Sequence, residues 1–409
     1  MKHSYQRQAC AAGVAALLSC TGAQALEVQA GEWKFTVNGN VNVHYIHSSC
    51  ESHADAIVTV GSACAVDGGG EKNLSSVSNG LLPAALVFGV ATEQNGYDIT
   101  ATFGFYPGIS TNDGGSPNLQ SGASNVALGT TGLDVRQVFM TFGNKTIGTF
   151  SLGRNFGLFG FDAIINDMTL PGVGVGGAMS SGAPANTSLG SIGFGYLYTD
   201  TLAQMNYTTP SVLGGLTLTL GIFDPIEPLL QTGATAEGAP GFHGKLAYKV
   251  GDFYLSSSFI SQTQHLPSGQ DYTGTGFDVA AKIRFGAVDL LASYYSGSGI
   301  GTTALFVLSD DGFGDKRDSD GYLLQGTYTL GATKLGLNYG VSNLDFAGAA
   351  DRAATPNLLE QNSKITAGIY HSLTKNLTLL TEFSDVTTEA HDGGRNRSNN
   401  FNVGAFLSF

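Results

Sequence analysis

The sequence predicts an all-β protein, a transmembrane barrel of sixteen antiparallel strands. Three observations predict this fold: apolar and polar residues alternate with period two, tight turns alternate with long connections, and the chain ends on an apolar strand at residues 401–409. Alternation gives a sheet one apolar face for lipid and one polar face for water, as in a closed barrel. Such a barrel pairs its last strand with its first, so we expect Phe409 to act as an assembly signal.

The alternation is clearest in the first predicted strand, residues 31–48. Its odd positions carry Trp33, Phe35, Val37, Val41, Val43 and Tyr45, with mostly polar residues between them. In later strands Lys245, Lys282 and Arg284 occupy polar positions of the same pattern. A basic side chain that faces lipid at the middle of a bilayer costs about 2–4 kcal/mol. We therefore expect the polar face of each strand, with its lysines and arginines, to line the lumen.

The remaining strands follow the same pattern. The sixteen strands are predicted at residues 31–48, 81–93, 97–107, 134–143, 146–154, 199–209, 214–223, 240–250, 252–261, 275–285, 287–297, 320–330, 333–343, 362–372, 376–387 and 399–409. Tight turns, such as Asn95-Gly96, Gly251 and Gly286, follow the even-numbered strands, and longer loops follow the odd-numbered ones. In transmembrane barrels short turns face the periplasm and long loops face outward. We expect both termini on the periplasmic side.

The first 25 residues are predicted to be a secretory signal peptide. Lys2 and Arg7 precede an apolar segment, and Ala23-Gln24-Ala25 matches the small-x-small cleavage pattern. Cys20 leaves a lipoprotein signal as an alternative, although Leu18 is large for such a site. Residues 26–409 contain no apolar run of the roughly 18 residues that a membrane helix needs. We therefore expect export through the periplasm and one barrel, residues 26–409, in the cell outer membrane.

The charge balance argues against nucleic acid as a partner. The chain has 19 basic and 32 acidic residues, and loss of Lys2 and Arg7 with the signal peptide changes its net charge from −13 to −15. Such a balance repels phosphates and gives a lumen or rim of negative potential. It is compatible with small hydrophilic solutes and ions as partners.

A long connection and two flanking motifs carry a family resemblance. Residues 155–198 join the fifth and sixth predicted strands and are long enough to form a functional loop. Beside and within it lie Arg136-Gln137-Val138-Phe139, Gly148-Thr149-Phe150-Ser151-Leu152-Gly153-Arg154-Asn155-Phe156-Gly157, Asp167-Met168 and Leu170-Pro171. In these motifs the chain resembles the trimeric general-diffusion porins of Gram-negative bacteria. The resemblance implies a passive diffusion channel whose third outer loop folds into the barrel and narrows the pore.

The resemblance also implies roles for individual residues. It places Arg136, Asp167, Asn40 and Asp200 at the pore constriction and gives Arg154, Pro171 and Gly172 a role in supporting loop 3. Two departures from the family pattern change the expected charge. Glycines follow Pro171 where the family has a second acid, and the other basic wall positions fall on Asn40, Ala85 and Asp200. Asp167 and the negative net charge then predict a mild cation preference.

The same resemblance implies partners. Residues 108–133, rich in glycine and serine, would latch onto a neighbouring subunit of a homotrimer. Outer-membrane lipid, lipopolysaccharide and the barrel assembly machinery would be further partners. No reaction and no cofactor are expected.

Cys50 and Cys64 are the two cysteines of the predicted mature chain. In the oxidising periplasm, a pair of cysteines within one loop is expected to form a disulfide. His44, His47 and His53 recur around Cys50 at steps of three and leave a metal site as an alternative. A step of three along a strand reverses the face, which separates His44 from His47.

A second candidate for a metal is the acidic segment at residues 310–320. It contains Asp310, Asp311, Asp315, Asp318 and Asp320. These oxygen ligands suit Ca²⁺ or Mg²⁺, which would bridge the loop to lipopolysaccharide, but no complete binding-loop motif is present. A solvated acidic loop is the alternative.

Other classes of function have weaker sequence support. Gly172-x-Gly174-x-x-Gly177 matches a dinucleotide fingerprint, but that motif requires a βαβ unit, which the predicted barrel lacks. His371 and His391 have no nucleophile motif beside them, so an enzyme is not predicted. A substrate-specific outer-membrane channel for a sugar or a small anion is the main alternative to a general diffusion channel.

Overall fold

The computed structural model describes residues 26–65, 72–109, 133–176, 187–227 and 238–409. The predicted signal peptide and most of the predicted latch, residues 110–132, lie outside these ranges. The strands are β1 Leu26–Ala30, β2 Trp33–Cys50, β3 Asn73–Ser78, β4 Ala85–Gln94, β5 Tyr97–Pro107, β6 Leu133–Asn144, β7 Gly148–Phe156, β8 Thr201–Thr208, β9 Leu216–Phe223, β10 Gly241–Val250, β11 Phe253–His265, β12 Asp271–Phe285, β13 Val288–Ser298, β14 Asp318–Leu330, β15 Thr333–Leu344, β16 Leu359–Ser372, β17 Leu377–Ala390 and β18 Arg395–Ser408. The helices are α1 Phe161–Asn166 and α2 Ala349–Ala354.

Sixteen of these strands, β2 and β4–β18, form a closed antiparallel barrel. Each pairs with the next along the chain, and β18 closes the sheet on β2. The predicted fold and strand number are therefore confirmed. Two short strands were not predicted: β1 folds back on the start of β2, and β3 pairs with the outer half of β2 beyond the end of β4.

The side chains divide between two faces as the alternation predicts. On β2, Trp33, Val41 and Tyr45 point away from the barrel and are exposed, whereas Asn40 and His44 point inward and are buried. The alternation recurs on β10 and β12. Lys245 of β10 and Lys282 of β12 point inward and contact residues inside the barrel. The apolar outer face is thus available to lipid, and the polar face lines the lumen.

Phe409 takes part in closing the barrel. Its N–H donates to the carbonyl oxygen of Gly39 at 3.0 Å, and its own carbonyl oxygen accepts the N–H of Gly39 at 2.9 Å. The ring of Phe409 lies against Gly39, so a Cβ atom at position 39 would come within 2.6 Å of it. Glycine therefore makes room for the terminal ring beside β2. The role of Phe409 as an assembly signal stays a prediction.

The remaining described segments belong to connections between strands. α1 lies between β7 and β8, and α2 lies between β15 and β16. Neither helix is long and apolar enough to cross a membrane in the described part of the chain. A disulfide joins Cys50, at the outer end of β2, to Cys64 in the connection that follows.

Candidate functional site

The candidate site is loop 3, the connection of residues 157–200 between β7 and β8, of which residues 157–176 and 187–200 are described. Its backbone and side chains bond to inward-facing residues of strands from β10 to β17. A loop that projected into solvent could not reach these side chains. In the described residues, loop 3 therefore lies inside the barrel along this wall.

The first contacts of loop 3 are made around α1. Asp162 accepts hydrogen bonds from Lys245 Nζ at 3.3 Å and from Tyr254 Oη at 3.0 Å. Lys282 Nζ, two strands further round the wall from Lys245, donates to Asn166 Oδ1 at 2.9 Å. α1 spans only six residues, so these side-chain contacts and not helix propensity fix its position.

Asp167 directly follows the C-terminal end of α1, and its side chain is enclosed. Its carboxylate accepts hydrogen bonds from Tyr196 Oη at 2.7 Å, Asn338 Nδ2 at 3.2 Å and the N–H of Thr169 at 2.9 Å, and only 3% of the residue is exposed. Burial, followed by the charge of Asp167, raises the pKa of Tyr196 well above its ordinary value, so the phenol keeps its proton and donates. The carboxylate thus braces loop 3 against β15.

The strongest anchor of loop 3 is Glu382 on β17. Its Oε2 atom accepts the N–H groups of Val173 and Gly174, both at 2.8 Å, and its Oε1 atom accepts Tyr370 Oη at 2.6 Å. A Cβ atom at position 172 would lie 2.0 Å from Oε1, so a side chain there would displace the carboxylate from these partners. Because hydrogen bonds to a charged acceptor are stronger than neutral ones, this carboxylate fixes the segment after Pro171.

The returning half of loop 3 is fixed by Lys364 on β16. Its ammonium group donates to the carbonyl oxygen of Gly190 at 2.7 Å and to Ser191 Oγ at 2.8 Å, and the residue is buried. Further along, the N–H of Gly195 donates to Ser342 Oγ of β15 at 2.9 Å. Both halves of loop 3 are therefore tied to the wall formed by β15–β17.

Asn40 supports loop 3 indirectly, through the connection between β3 and β4. Its side chain donates to the carbonyl oxygen of Pro83 at 3.2 Å. The same connection meets loop 3, since the N–H of Leu81 donates to the carbonyl oxygen of Gly172 at 2.7 Å. Asn40 thus supports a contact of loop 3 on the β2 side of the barrel.

Arg136 lies at a β-bulge in the pairing of β5 with β6. Gly104 of β5 pairs with Gln137 while Phe105 pairs with Val135, so Arg136 is the extra residue on β6. Its guanidinium is buried, bonds to Asp134 at 3.0 and 3.1 Å, and lies 5.3 Å from the ring centre of Tyr106.

The four predicted constriction residues therefore occupy three places. Arg136 and Asp200 are neighbours at the β6–β8 side, where Arg154 also contributes to the electrostatic environment of Asp200. Asp167 lies at β15, and Asn40 lies on β2. The structure brings Arg136, Arg154 and Asp200 together and separates Asp167 and Asn40 from them.

Five wall residues that hold loop 3 were not identified from the sequence. They are Asp278, Gln325, Asn338, Lys364 and Glu382. Each occupies a polar, inward position of an alternating strand, so the pattern predicts its direction. The pattern does not predict its height in the barrel or its partner, which is distant in sequence.

A cavity of about 360 Å³ opens on the turn side of loop 3. Its charged lining residues are Asp167, Lys282, Arg284, Asp289 and Lys334. Arg284 bonds to Asp289 at 2.7 Å, and Lys334 lies 4.8 Å from the ring centre of Tyr370. Among the described residues, Lys282 has an amide partner and no carboxylate within salt-bridge distance. The cavity lining therefore has more positive than negative charge.

The metal and catalytic alternatives find no assembled site. No group of three or more His, Cys, Asp or Glu side chains is arranged for a metal ion within the described ranges. His44 points into the barrel, whereas His47 contacts Ser75 at 3.1 Å on β3. His371 bonds to Thr333, and His391 bonds to the carbonyl oxygen of Leu344.

The acidic segment is only partly a solvated loop. Asp310 is buried, and its Oδ1 atom accepts the N–H of Gly312 at 2.7 Å. Asp311 accepts the N–H groups of Phe313 and Asp315 at 2.8 and 3.1 Å. Asp318 and Asp320 belong to β14, so the five carboxylates do not share one loop.

Comparisons with known proteins agree with this architecture. The sequence model of the family described as Gram-negative porin matches residues 9–391. The barrel is similar to the outer membrane channel DcaP of Acinetobacter baumannii, with 16% identity, a TM-score of 0.69 and coverage of 95% of this chain and 100% of that one. It is similar to an anion-selective porin from Comamonas acidovorans, with 15% identity, a TM-score of 0.60 and coverage of 92% and 100%.

A further similar structure is the trimer form of OmpT, an outer membrane protein of Vibrio cholerae, with 13% identity, a TM-score of 0.51 and coverage of 92% and 99%. At these identities the structural likeness shows the fold alone. None of the curated proteins matches the sequence.

Proposed function

The chain belongs to the Gram-negative porin family and is an outer-membrane β-barrel diffusion channel, and we propose that loop 3 forms its constriction. The observation that carries the proposal is the attachment of loop 3 to inward side chains of the wall, above all to Glu382. A loop held inside a barrel reduces the cross-section open to solutes. Channels of this family catalyse no reaction, and solutes would move down their own gradients.

The proposed solutes are small, hydrophilic molecules and ions. The wall residues below loop 3 include Thr327, Thr329 and Ser372 together with charged side chains. Such a surface supports water and passing polar solutes and offers no large apolar site. Swelling of liposomes that contain the purified protein tests this directly. Small sugars should enter and trigger swelling, with rates that fall as sugar size increases, whereas absence of swelling with every sugar would refute the proposal.

For ions, we propose a mild anion preference in place of the mild cation preference expected from the sequence. The earlier expectation placed the charge of Asp167 in the pore, but Asp167 and Asp162 are enclosed, with 3% and 5% exposed. Lys282 and Lys334 line the cavity beside loop 3. A unit charge about 7 Å from a passing ion contributes about 2 kcal/mol at an effective dielectric constant of 20. These half-buried lysines would therefore outweigh the more deeply enclosed carboxylates.

A substrate-specific channel for a small anion is the second candidate. The lysines of the 360 Å³ cavity favour it over a sugar channel, because they would attract carboxylates and phosphates. The similar Comamonas acidovorans protein is described as anion-selective. Block of KCl current by a small organic anion, and not by its neutral amide, would separate this candidate from a general diffusion channel.

We also propose assembly as a homotrimer after removal of the signal peptide. One similar structure, OmpT of Vibrio cholerae, is described as a trimer form. The exposed apolar face of the barrel provides surface for both subunit and lipid contacts. Native mass spectrometry of detergent-solubilised protein should give three subunits and a mature chain that starts at Leu26. A monomer or an uncleaved chain would refute the corresponding part of the proposal.

A further inference from the structure

The connection between β13 and β14, residues 299–317, folds into the barrel instead of projecting from it. Ile300, Leu305, Phe306 and Val307 are buried, with no more than 3% exposed. Ile300, Leu305 and Phe306 form part of an apolar cluster that also contains inward-facing barrel residues and two residues of loop 3, namely Leu202, Phe223, Ile260, Tyr295, Phe159 and Leu197. This connection therefore occupies the outer half of the lumen, directly against loop 3.

The same connection reaches across to the other side of the barrel mouth. The N–H of Tyr198, in loop 3, donates to the carbonyl oxygen of Thr303 at 2.8 Å. Thr303 Oγ1 donates to the carbonyl oxygen of Val60 at 2.5 Å, and Val60 belongs to the connection after β2. Since β2 and β13 lie far apart around the sheet, Thr303 links segments from separate parts of the rim.

The backbone of this connection is strained where it enters the lumen. Thr303, Phe306 and Leu308 have φ values of +64°, +64° and +56°, in the left-handed region. Such a conformation is unfavourable in a residue other than glycine and persists only when its surroundings hold it. Arg317 helps to fix the end of this connection. It donates hydrogen bonds of 2.6 and 2.8 Å to the carboxylate of Asp351 in α2, and both residues are buried.

We propose that residues 300–307, with Val60, form a second constriction on the outer side of loop 3. The second constriction rests on the function as a diffusion channel and adds to the proposed role of loop 3. Solutes are then selected by size at two successive levels, and loop 3 alone does not set the limit. Thr303 is a positioning residue of the outer level, because it ties this connection to Tyr198 of loop 3 and to Val60.

Deletion of residues 301–305 tests the second constriction. The N–H of Phe306 donates to the carbonyl oxygen of Ile300 at 2.7 Å, so the two ends that the deletion joins already lie close together. Single-channel conductance should rise, and liposome swelling should extend to larger sugars. The matched control deletes residues 311–315 of the same connection, outside the proposed constriction, where the flanking residues Asp310 and Lys316 already form an antiparallel bridge. The control should behave as wild type.

The outcomes separate the two proposals. If the wild type conducts but the 301–305 deletion has the same conductance and the same sugar limit, the second constriction is refuted and the channel function stands. If the wild type gives neither current nor swelling, the channel function itself fails. An equal rise in both deletion variants would also refute a specific role for residues 301–305.

A second measurement applies if the deletion variant does not fold. Ala304→Cys places one thiol in the proposed constriction, and Phe313→Cys places one on an exposed turn, where Phe313 is 74% exposed. A bulky charged thiol reagent added on the outer side should reduce the current through the Ala304→Cys channel and leave the Phe313→Cys channel unchanged. Complete labelling of Ala304→Cys without loss of current would overturn the proposal.

Discussion

Glu382 and Val173 are joined by a 2.8 Å hydrogen bond although 209 positions separate them in the sequence. The bond links the wall of β17 to the part of loop 3 that follows Pro171. Gly174 donates to the same oxygen atom, so one carboxylate orders two successive backbone groups. Loop 3 is therefore held in the lumen by the barrel wall and not by its own short helix.

Glu382→Gln should loosen loop 3. The substitution keeps the shape of the side chain but removes the charge that two N–H groups and Tyr370 require. Hydrogen bonds to charged groups contribute about 1.5–3 kcal/mol, so we expect a loss of that order in the stability of the anchored loop. Single-channel recordings should show larger current noise and a higher mean conductance. Glu389→Gln, on the exposed outer end of β17, is the control; equal noise in both variants would contradict the anchoring role.

Ion preference should depend on Lys282 more than on Asp167. Both residues line the cavity beside loop 3, but Lys282 is half-buried, whereas Asp167 is only 3% exposed and its carboxylate accepts three hydrogen bonds. In a gradient of dilute KCl, the sign of the wild-type zero-current potential should indicate anion preference. Lys282→Gln should shift this potential in the direction of cation preference. Salt screens exposed charges, so the difference should shrink at high KCl.

Two further variants complete the selectivity experiment. Asp167→Asn should change the zero-current potential little, and Lys145→Gln, in the exposed turn after β6, should not change it. A wild-type potential whose sign indicates cation preference would contradict the proposed anion preference and support the cation preference expected from the net charge. A large response to Asp167→Asn would show that its carboxylate faces the ion path.

The sequence predicts the barrel far better than the contents of its lumen. Period two is a local property, so Val41 and Asn40 reveal their faces without knowledge of any partner. The contacts of Glu382 and Lys364 with loop 3 depend on the strand register and on the path of the loop. Neither can be predicted from the alternation of residues near these positions. Residues 310–320 show the same limit: Asp315 and Asp318 are exposed, as a solvated loop requires, whereas Asp310 is buried next to apolar residues that fold inward.

The candidate constriction was only partly predictable. The family resemblance predicts that loop 3 folds inward, and the described residues lie inside the barrel. It assigned Arg136 to the pore wall by position along the chain, but the β-bulge and the bond to Asp134 determine where the guanidinium lies. A bulge inserts one residue and changes the local direction of side chains, which an alternating pattern cannot represent.

Deletion of Phe409 should prevent efficient insertion into the outer membrane. The terminal residue makes two backbone hydrogen bonds with Gly39 and covers it with its ring, so its removal leaves the junction of β18 and β2 incomplete. The variant should be secreted but should accumulate in the periplasm or be degraded. Phe401→Ala removes another outward aromatic from β18 and should reach the membrane. Normal membrane levels without Phe409 would rule out its assembly role.

Reduction of the Cys50–Cys64 disulfide should destabilise the connection between β2 and β3. The two cysteines are 14 positions apart, and closing a loop of about 15 residues stabilises a fold by about 3 kcal/mol in the chain-entropy estimate. Denatured, unreduced protein should contain no thiol that reacts with a labelling reagent. Reduced protein should show faster proteolysis in this connection. Two reactive thiols before reduction would contradict the disulfide.

Single-channel conductance of the purified wild type at a series of KCl concentrations shows whether this barrel is a water-filled diffusion channel. Discrete current steps should appear, and their size should grow nearly in proportion to KCl, because ions in an aqueous pore carry current without a saturable site. Absence of current steps, or steps that reach a plateau at low KCl, would contradict a water-filled diffusion channel.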